Sequence, residues 1–384
     1  MIKLTYFLSV LVVTSLVSCE KKNATPSTTT TKTTTTDTLS GKIFTYAGNG
    51  YDSAGRGGYS GDGGQATKAE LYHPFGVAVD GLGNIYISDL GNFRVRKVNT
   101  QGIISTFAGN GSKGYSGDGG SAQTAELFGP FGIAVDSLGN VYIADNGNNN
   151  IRLVNTSGTI STFAGNGIGG YSGDGGAAIN AEINLPEGLA VDAAGNVYIA
   201  DYGNACIRKV NTQGIISTIA GRGVNGLGDG GPAIDAALLG PYGVATDGLR
   251  NIYVADYGNN RIRKIDTSGI ISTVAGNGFG APYDGGYSGD GGPANAAELY
   301  NPTAVVLDKL GNIYIADAEN SRIRTVNTNG IISTIAGTGV YGVAGDGGSA
   351  TAAEIGNTQG IAIDGRSNLY ITDAYFNRVR IIYK

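Results

Sequence analysis

A pattern of about 55 residues occurs six times in this chain of 384 residues. Its core is P-x-G-x-A-V-D-x-x-G-N-x-Y-I-A-D, followed by N-x-x-I-R-x-V-N-T-x-G-I-I-S-T-x-A-G. The aspartate after the Tyr-Ile pair marks each copy, at Asp89, Asp145, Asp201, Asp256, Asp317 and Asp373. A fixed period of this length indicates a repeat architecture. Residues shared by all copies are therefore expected to hold the repeat together, and residues present in one or two copies are candidates for function.

Each copy contains four short runs rich in Val, Ile and Tyr, separated by turn signals such as Gly-Asn and Asn-Thr-x-Gly. In the first copy these runs are 76–80, 84–89, 94–99 and 103–108. No helical periodicity interrupts them, which disfavours a parallel sheet with crossover helices. Six copies of four antiparallel strands predict an all-β fold, the six-bladed β-propeller. A β-helix is the weaker alternative because its repeat is much shorter.

The two ends of the repeat region complement each other. The sixth copy supplies runs 360–364, 368–373 and 378–383 and stops without a fourth strand. Residues 43–50 align with 104–111, which contain the fourth strand of the first copy. We expect this N-terminal strand to complete the last blade, because ring closure removes the two open sheet edges of a linear array. The predicted propeller spans 41–384.

The first 18 residues have the pattern of a signal peptide. Lys3 precedes an apolar run, 4–17, that is too short to span a bilayer. The run ends Leu-Val-Ser-Cys, which resembles the lipobox of bacterial lipoproteins. This resemblance implies cleavage before Cys19 and acylation of Cys19, through which the protein would be held at the membrane of the bacterial cell envelope. The alternative is an ordinary secretory signal with an incidental cysteine.

Residues 19–40 are dominated by Thr and Ser and cannot bury enough apolar surface to fold. They are predicted to form a tether between the anchor and the propeller. Whether the propeller faces the periplasm or the cell surface is left open. Cys206, the second of the two cysteines, has no partner for a disulfide if Cys19 is acylated. The fold must then rely on its own core.

The segments P-x-G-x-A-V-D, G-N-x-Y-I-A-D and N-x-x-I-R-x-V resemble the NHL repeat over residues 43–384, in all six copies. The resemblance implies a rigid six-bladed disc that binds proteins, nucleic acid or carbohydrate, and a minority of such proteins are enzymes. Amidating lyases of the family use several metal-binding histidines, whereas this chain has one, His73. Gluconolactonase-like propellers use a Glu/Asn/Asp metal site at the central channel, and here Glu187 is the only carboxylate at the corresponding variable position.

The ring aspartates each have an arginine seven residues later. The pairs are Asp89 and Arg96, Asp145 and Arg152, Asp201 and Arg208, Asp256 and Arg263, Asp317 and Arg324, and Asp373 and Arg380. A structural ion pair, or a side chain that accepts backbone N–H groups, explains the pattern better than a metal or catalytic ring.

A second aspartate ring lies in the Gly-Asp-Gly-Gly segments, at Asp62, Asp118, Asp174, Asp229, Asp290 and Asp346. The Ala-x-x-Ala spacing that follows predicts a helical turn with the aspartate near its start. Calcium is the functional alternative, although one aspartate per loop supplies few of the oxygen ligands that the ion needs. No cofactor is therefore expected.

The repeat symmetry breaks on one arc of one face. This face, called the top, carries the loops from strand four to the next strand one and the loops from strand two to strand three. Two of the former are longer, with inserts at 51–59 and 279–287, and blade six has unusual residues in both kinds of loop. The predicted recognition groove is lined by Tyr51, Asp52, Arg56, Tyr283, Asp284, Gln359, Tyr375 and Phe376. Drift in a terminal blade is the alternative explanation.

Further variable positions lie on the top rim. The residues after the proline position that precedes strand one are Phe75, Phe131, Glu187, Tyr242, Thr303 and Gln359. Aromatic side chains among them would form an adhesive patch if they were exposed together. His73 lies beside this rim, as an ordinary surface or capping histidine or, alternatively, as a general base.

The sequence favours a binding or scaffolding module for a protein or glycan ligand on the top face, expected to be a monomer. A metal-dependent hydrolase or lactonase is the second interpretation, and a structural envelope protein the third. Nucleic acid is disfavoured as a partner by the net charge of −5 and by the dispersed Lys and Arg residues. Contact with the membrane is expected only through acylated Cys19.

Overall fold

The computed structural model describes residues 39–50, 57–224, 226–282 and 284–384. The predicted signal peptide lies outside these residues, and of the predicted tether only 39–40 lie within them. The unit from Leu39 to Lys384 is built from four-stranded antiparallel sheets, six of them in the described ranges. The described residues contain no helix with the length and apolar character needed to cross a bilayer.

The strands lie close to the runs expected from the sequence. Blade one consists of β2 (Pro74–Val79), β3 (Ile85–Asp89), β4 (Arg94–Val98) and β5 (Ile104–Ala108). Blade two consists of β6 (Pro130–Val135), β7 (Val141–Asp145), β8 (Asn150–Val154) and β9 (Ile160–Ala164). Blade three consists of β10 (Pro186–Val191), β11 (Val197–Asp201), β12 (Cys206–Val210) and β13 (Ile216–Gly221).

The remaining blades follow the same plan. Blade four consists of β14 (Pro241–Thr246), β15 (Ile252–Asp256), β16 (Arg261–Ile265) and β17 (Ile271–Ala275). Blade five consists of β18 (Pro302–Leu307), β19 (Ile313–Asp317), β20 (Arg322–Val326) and β21 (Ile332–Ala336). Blade six consists of β22 (Thr358–Ile363), β23 (Leu369–Asp373), β24 (Arg378–Ile382) and the N-terminal strand β1 (Ile43–Ala47).

The N-terminal strand closes the ring, as predicted. β1 pairs antiparallel with β24, with Ile43 opposite Ile382 and Phe44 opposite Ile381. The sheet order β1-β24-β23-β22 therefore joins the two ends of the repeat region in one blade. This pairing converts a linear array into a closed ring and satisfies the edge of the last blade.

Two short 3₁₀ helices accompany each blade. One precedes the first strand, at Ala66–Lys68, Ala122–Thr124, Ala178–Asn180, Ala233–Asp235, Ala294–Ala296 and Ala350–Ala352. The other follows the second strand, at Leu90–Asn92, Asn146–Asn148, Tyr202–Asn204, Tyr257–Asn259, Ala318–Asn320 and Ala374–Phe376. The helices of the second set lie on the top face, where each ring aspartate ends its strand.

The core is divided among the contacts between neighbouring blades. Between blades one and two, for example, Tyr86, Val95 and Ala108 pack against Leu127 and Ile143. Five other clusters of the same kind fill the other blade contacts within the described residues. Each blade thus buries both faces, which explains the apolar character of both faces of the first two strands.

Candidate functional site

A buried arginine on the third strand of a blade connects the two aspartate rings. In blade one, Arg96 Nη1 donates to Asp89 Oδ2 at 3.2 Å, and Nη2 donates to Asp62 Oδ1 at 2.5 Å. A β-bulge shifts the pairing of β4 with β5 between Val95 and Arg96, and bulges commonly redirect a side chain in this way. Through Asp89 and Asp62, Arg96 connects the second and third strands to the loop that precedes the blade.

Five of the six predicted aspartate–arginine pairs lie within ion-pair distance. The Nη1 to Oδ2 distances are 3.2 Å for Asp89 and Arg96, 3.6 Å for Asp145 and Arg152, 3.3 Å for Asp201 and Arg208, 3.1 Å for Asp256 and Arg263, and 3.1 Å for Asp317 and Arg324. These aspartates and arginines are fully buried. The charges of these aspartates and arginines therefore compensate one another inside the blades, which is what a structural ion pair does.

Blade six departs from this pattern. Arg380 Nη2 donates to Asp346 at 2.6 Å and Nη1 to the carbonyl of Glu354 at 2.6 Å, whereas Asp373 accepts the amide of Gly356 at 3.4 Å. The other carboxylate oxygen of Asp373 has no hydrogen-bond partner among the described residues. Burial raises the pKa of Asp373 to about 7, compared with about 6 for Asp317.

The second aspartate ring does not have the helix-starting role that the sequence suggested. The helix Ala66–Lys68 begins after Gln65 without a side-chain cap. Asp62 instead accepts the Thr106 amide at 3.0 Å, the Thr106 hydroxyl at 2.7 Å and the Arg96 guanidinium. Although burial acts to raise it, the hydrogen bonds from Thr106 and the charge of Arg96 hold the pKa of Asp62 below its usual value. Both oxygens of the Asp62 carboxylate therefore have hydrogen-bond partners within the protein.

Half of the predicted recognition groove lies outside the described residues, namely Tyr51, Asp52, Arg56 and Tyr283. Asp284 is exposed in the second insert, and its carbonyl accepts Asn260 Nδ2 at 2.5 Å. The contacts among described residues do not connect Asp284 with the three groove residues of blade six, Gln359, Tyr375 and Phe376. The groove as one continuous surface stays a prediction.

Tyr375 and Phe376 form an aromatic cluster with two residues from other loops. This group, called the seam cluster, consists of His73, Tyr341, Tyr375 and Phe376. Tyr341 lies 5.7 Å from Tyr375 and 5.2 Å from Phe376 between ring centroids, and His73 stacks on Tyr375 at 6.0 Å. Tyr375 is 63% exposed and Tyr341 is 47% exposed. The seam cluster thus presents aromatic surface where blades six and one meet.

His73 belongs to this surface by its contacts. Its amide donates to Asn377 Oδ1 at 2.9 Å, and its ring packs edge-on against Tyr72 at 4.9 Å. Partial burial lowers the pKa of His73. Its described ring contacts are aromatic rather than with a carboxylate that would orient a general base.

The variable rim residues converge over the central channel. Phe75 of blade one lies 4.2 Å from Phe131 and 5.9 Å from Tyr242 of the opposite blade, between ring centroids. Tyr242 stacks on Tyr257 at 5.3 Å, and its hydroxyl donates to Gln359 Oε1 at 3.1 Å. These side chains are partly buried against one another. They form a mouth across the channel rather than an exposed patch on the rim.

The channel below this mouth is narrow and apolar. The first strands of the six blades surround a cavity of about 280 Å³. Its walls include Val77, Ile133, Leu189, Val244, Val305 and Ile361. Glycine at position three of five of these strands allows close approach, since a Cβ added at Gly76 would lie 2.2 Å from the carbonyl oxygen of Phe131.

Glu187 is the carboxylate of the channel mouth. It is 7% exposed, and Asn146 Nδ2 donates to its Oε1 at a long 3.4 Å. Its Oε2 has no hydrogen-bond partner among the described residues. The sequence identified Glu187 as unusual for its position, but did not show that this carboxyl is buried at the channel mouth.

Comparison with known proteins identifies the repeat. The family model of the teneurin NHL domain matches residues 6–116, 108–168, 169–227, 224–280 and 274–344. Mouse teneurin-4 is 30% identical over 292 residues, which cover 67% of this chain and 10% of the relative. The chain therefore spans about a tenth of the length of the teneurins that it matches.

Solved structures share the fold at low sequence identity. An auxiliary nutrient binding protein from Bacteroides thetaiotaomicron has a TM-score of 0.62 and 15% identity, over 88% of this chain and 75% of that one. A gluconolactonase from Xanthomonas campestris has a TM-score of 0.51 and 14% identity, over 81% of this chain and 86% of that one. At such identities the likeness supports the propeller fold alone.

Proposed function

This chain belongs to the NHL-repeat family, and we propose that it is a binding or scaffolding module that holds a protein or glycan ligand on its top face. We further propose that it is exported, anchored through acylated Cys19 and attached to the bacterial cell envelope by its Thr-rich tether. The family and the fold are compatible with binding. The ligand class is inferred from this chain's own surface.

The observation that carries the proposal is the seam cluster. His73 and Tyr341 lie 6.0 Å and 5.7 Å from Tyr375 between ring centroids, and Phe376 lies 5.2 Å from Tyr341. The two tyrosines keep about half or more of their surface in solvent. Aromatic rings with a polar edge bury large contact area at low entropic cost and are common in protein and sugar recognition. A repeat held together by buried ion pairs supplies a rigid support for such a surface.

The alternative, a metal-dependent hydrolase, needs several ligands around one point. In the described ranges no three His, Cys, Asp or Glu side chains come together in that way. Glu187 is the carboxylate that the channel mouth offers, and its neighbour Asn146 lies at 3.4 Å. We therefore place binding ahead of hydrolysis.

The test compares ligand capture by residues 41–384 and by a double variant, Tyr341→Ala with Tyr375→Ala. Glycan arrays and pull-downs from envelope extracts would identify a ligand, and biolayer interferometry would measure its affinity. Two exposed aromatic anchors are expected to contribute at least tenfold to affinity, as interface aromatics often do. The matched control is Leu138→Ala with Leu310→Ala, which removes exposed apolar side chains from turns between strands one and two, on the opposite face.

A loss of affinity in the tyrosine variant alone would support the proposed surface. Equal affinity in the wild type and the tyrosine variant would contradict it. Turnover of lactones or esters together with a stoichiometric divalent metal, and no captured ligand, would favour the hydrolase instead.

A further inference from the structure

The carboxyl group of Glu187 is the least compensated polar group at the channel mouth. It is almost fully buried, and its Oε2 accepts no hydrogen bond from the described residues. A buried acceptor without a donor is costly, so natural proteins usually fill it from a side chain, water or a ligand. Since the cavity adjoins this group, a ligand can supply the missing donor.

The surroundings of Glu187 also lack a compensating charge. Burial raises the pKa of this carboxyl well above its usual range, without a lowering contribution from an arginine or lysine in the described chain. By contrast, the buried ring aspartates of blades one to five each form an ion pair with an arginine. The mouth is therefore suited to receive a positive charge from outside the protein.

The rings around the mouth favour a cation of organic type. Burial raises the pKa of the Tyr242 hydroxyl, and the charge of Glu187 raises it further. Tyr242 therefore lies near the carboxyl group of Glu187. Phe75 and Tyr257 lie against Tyr242 at 5.9 Å and 5.3 Å between centroids. Aromatic faces attract ammonium groups, and the attraction strengthens where water is excluded.

The channel below the mouth determines what the rest of the ligand can be. Its walls are aliphatic, with Val77, Leu189 and Val244 at the level below Glu187, and its volume is about 280 Å³. This is at or below the small end of ordinary ligand pockets. A short, thin apolar tail fits such a space, whereas a sugar would leave its hydroxyls without partners.

We propose that the central channel binds a small primary alkylammonium ion, whose N–H groups donate to Glu187 Oε2 and whose tail lies along the aliphatic walls. The site is separate from the seam cluster. It therefore does not depend on the ligand proposed for the top face.

Three probes separate the parts of this proposal: n-butylammonium, n-butyltrimethylammonium and pentan-1-ol. The first has charge and N–H donors, the second has charge without donors, and the third has a donor without charge. Ligand-observed NMR titrations of wild-type residues 41–384 are expected to show butylammonium binding at least tenfold more tightly than the other two. Affinity is also expected to rise roughly fourfold for each methylene from methylammonium to butylammonium.

The matched variants are Glu187→Gln and Glu319→Gln. Both remove one carboxylate from the top of the disc, but Glu319 is exposed and accepts Asn357 Nδ2 at 2.9 Å. Glu187→Gln should reduce butylammonium affinity to that of pentanol, and Glu319→Gln should leave it unchanged. Thermal melts of both variants would check that they fold.

Three results would overturn the proposal. The wild type could bind none of the probes, it could bind pentanol as well as butylammonium, or Glu187→Gln could keep the preference for butylammonium. Equal affinity for methylammonium and butylammonium would refute the placement of the tail in the channel. Binding of calcium or zinc without binding of butylammonium would assign Glu187 to a different ligand.

Discussion

The arginine that joins the two aspartate rings can be tested by comparing two blades. Arg324 and Arg380 are both fully buried and both bind a partly exposed aspartate, Asp290 or Asp346. They differ because Arg324 also pairs with buried Asp317 at 3.1 Å, whereas Arg380 makes no such bond to Asp373. The variants Arg324→Met and Arg380→Met thus differ mainly in whether a buried carboxylate loses its ion-pair partner.

The size of the effect follows from that contrast. Stranding one member of a buried ion pair costs about 3–5 kcal/mol of unfolding free energy. Losing charge-assisted hydrogen bonds to the partly exposed aspartate and to a carbonyl costs about 1–2 kcal/mol. At about 2 °C per kcal/mol for a domain of this size, Arg324→Met should lower Tm by roughly 6–10 °C, and Arg380→Met by roughly 2–4 °C.

The pH dependence supplies a second check on Arg324→Met. Burial raises the pKa of Asp317 to about 6 in the folded protein, and the Arg324 charge opposes that rise. A carboxyl with a raised folded pKa stabilises the fold below its unfolded pKa and loses that contribution as the pH rises through the folded pKa. Without Arg324 the folded pKa rises further. The loss in Tm should therefore be larger at pH 8 than at pH 5.

Differential scanning fluorimetry of the two variants at both pH values makes the measurement. The control is Asp317→Asn combined with Arg324→Met, which removes the stranded charge and should recover part of the lost Tm. Equal losses in Arg324→Met and Arg380→Met would refute the view that Asp317 determines the cost. A loss that is independent of pH would refute the electrostatic explanation.

Two further predictions concern the channel wall and the anchor. Gly76→Ala should destabilise the fold by about 1–3 kcal/mol, because the added Cβ would lie 2.2 Å from the Phe131 carbonyl oxygen. The control Gly81→Ala, which has open space around the added Cβ, should change stability by about 0.5 kcal/mol or less. Chemical denaturation of both variants tests this, and equal effects would contradict it. Cys19→Ala should abolish incorporation of an alkyne fatty acid in bacterial cells and Cys206→Ser should not, since Cys206 is buried; labelling that survives in Cys19→Ala would refute the anchor.

The fold was predictable because its signals are local and repeated. Period-two strands and turn residues recur in each copy, so an error in one copy is corrected by the other five. The alignment of 43–50 with 104–111 also predicted the pairing of β1 with β24. Closure follows from the same pattern, because the missing fourth strand of the sixth copy is found at the other end of the propeller region.

The role of the second aspartate ring was missed although a signal was present. Asp62 and Arg96 are 34 residues apart, and the equivalent aspartate and arginine of the other blades keep this spacing. The spacing holds even where an insert lengthens the loop before the aspartate. The aspartate seven residues before the arginine is the nearer partner in sequence, but in blade one the same guanidinium also pairs with the aspartate 34 residues before it.

The channel mouth could not be derived from any one repeat. Whether Tyr242 reaches Gln359 and Phe75 depends on the width of the channel, which the glycines at the blade contacts determine only after all six blades close. The sequence identified the six variable positions and placed them on the top rim, but it did not show that they meet at the channel. In the folded protein, three aromatic residues and one carboxylate from these positions lie together at the channel mouth, namely Phe75, Phe131, Tyr242 and Glu187.

The effect of a residue that differs among the repeats therefore depends on whether it lies at the channel mouth or in an outer loop. Five of the six variable residues line the channel cavity, and the sixth, Phe131, packs against Phe75. A single change such as Glu187 therefore alters an environment to which several blades contribute. Loops at the outer rim diverge, and changes there affect only neighbouring blades, as Tyr341 and Tyr375 do at their seam. Because the two regions use different residues, substitutions at one need not disturb the other. A chain built from near-identical repeats can in this way carry an axial site for a small ion and a peripheral site for a large ligand.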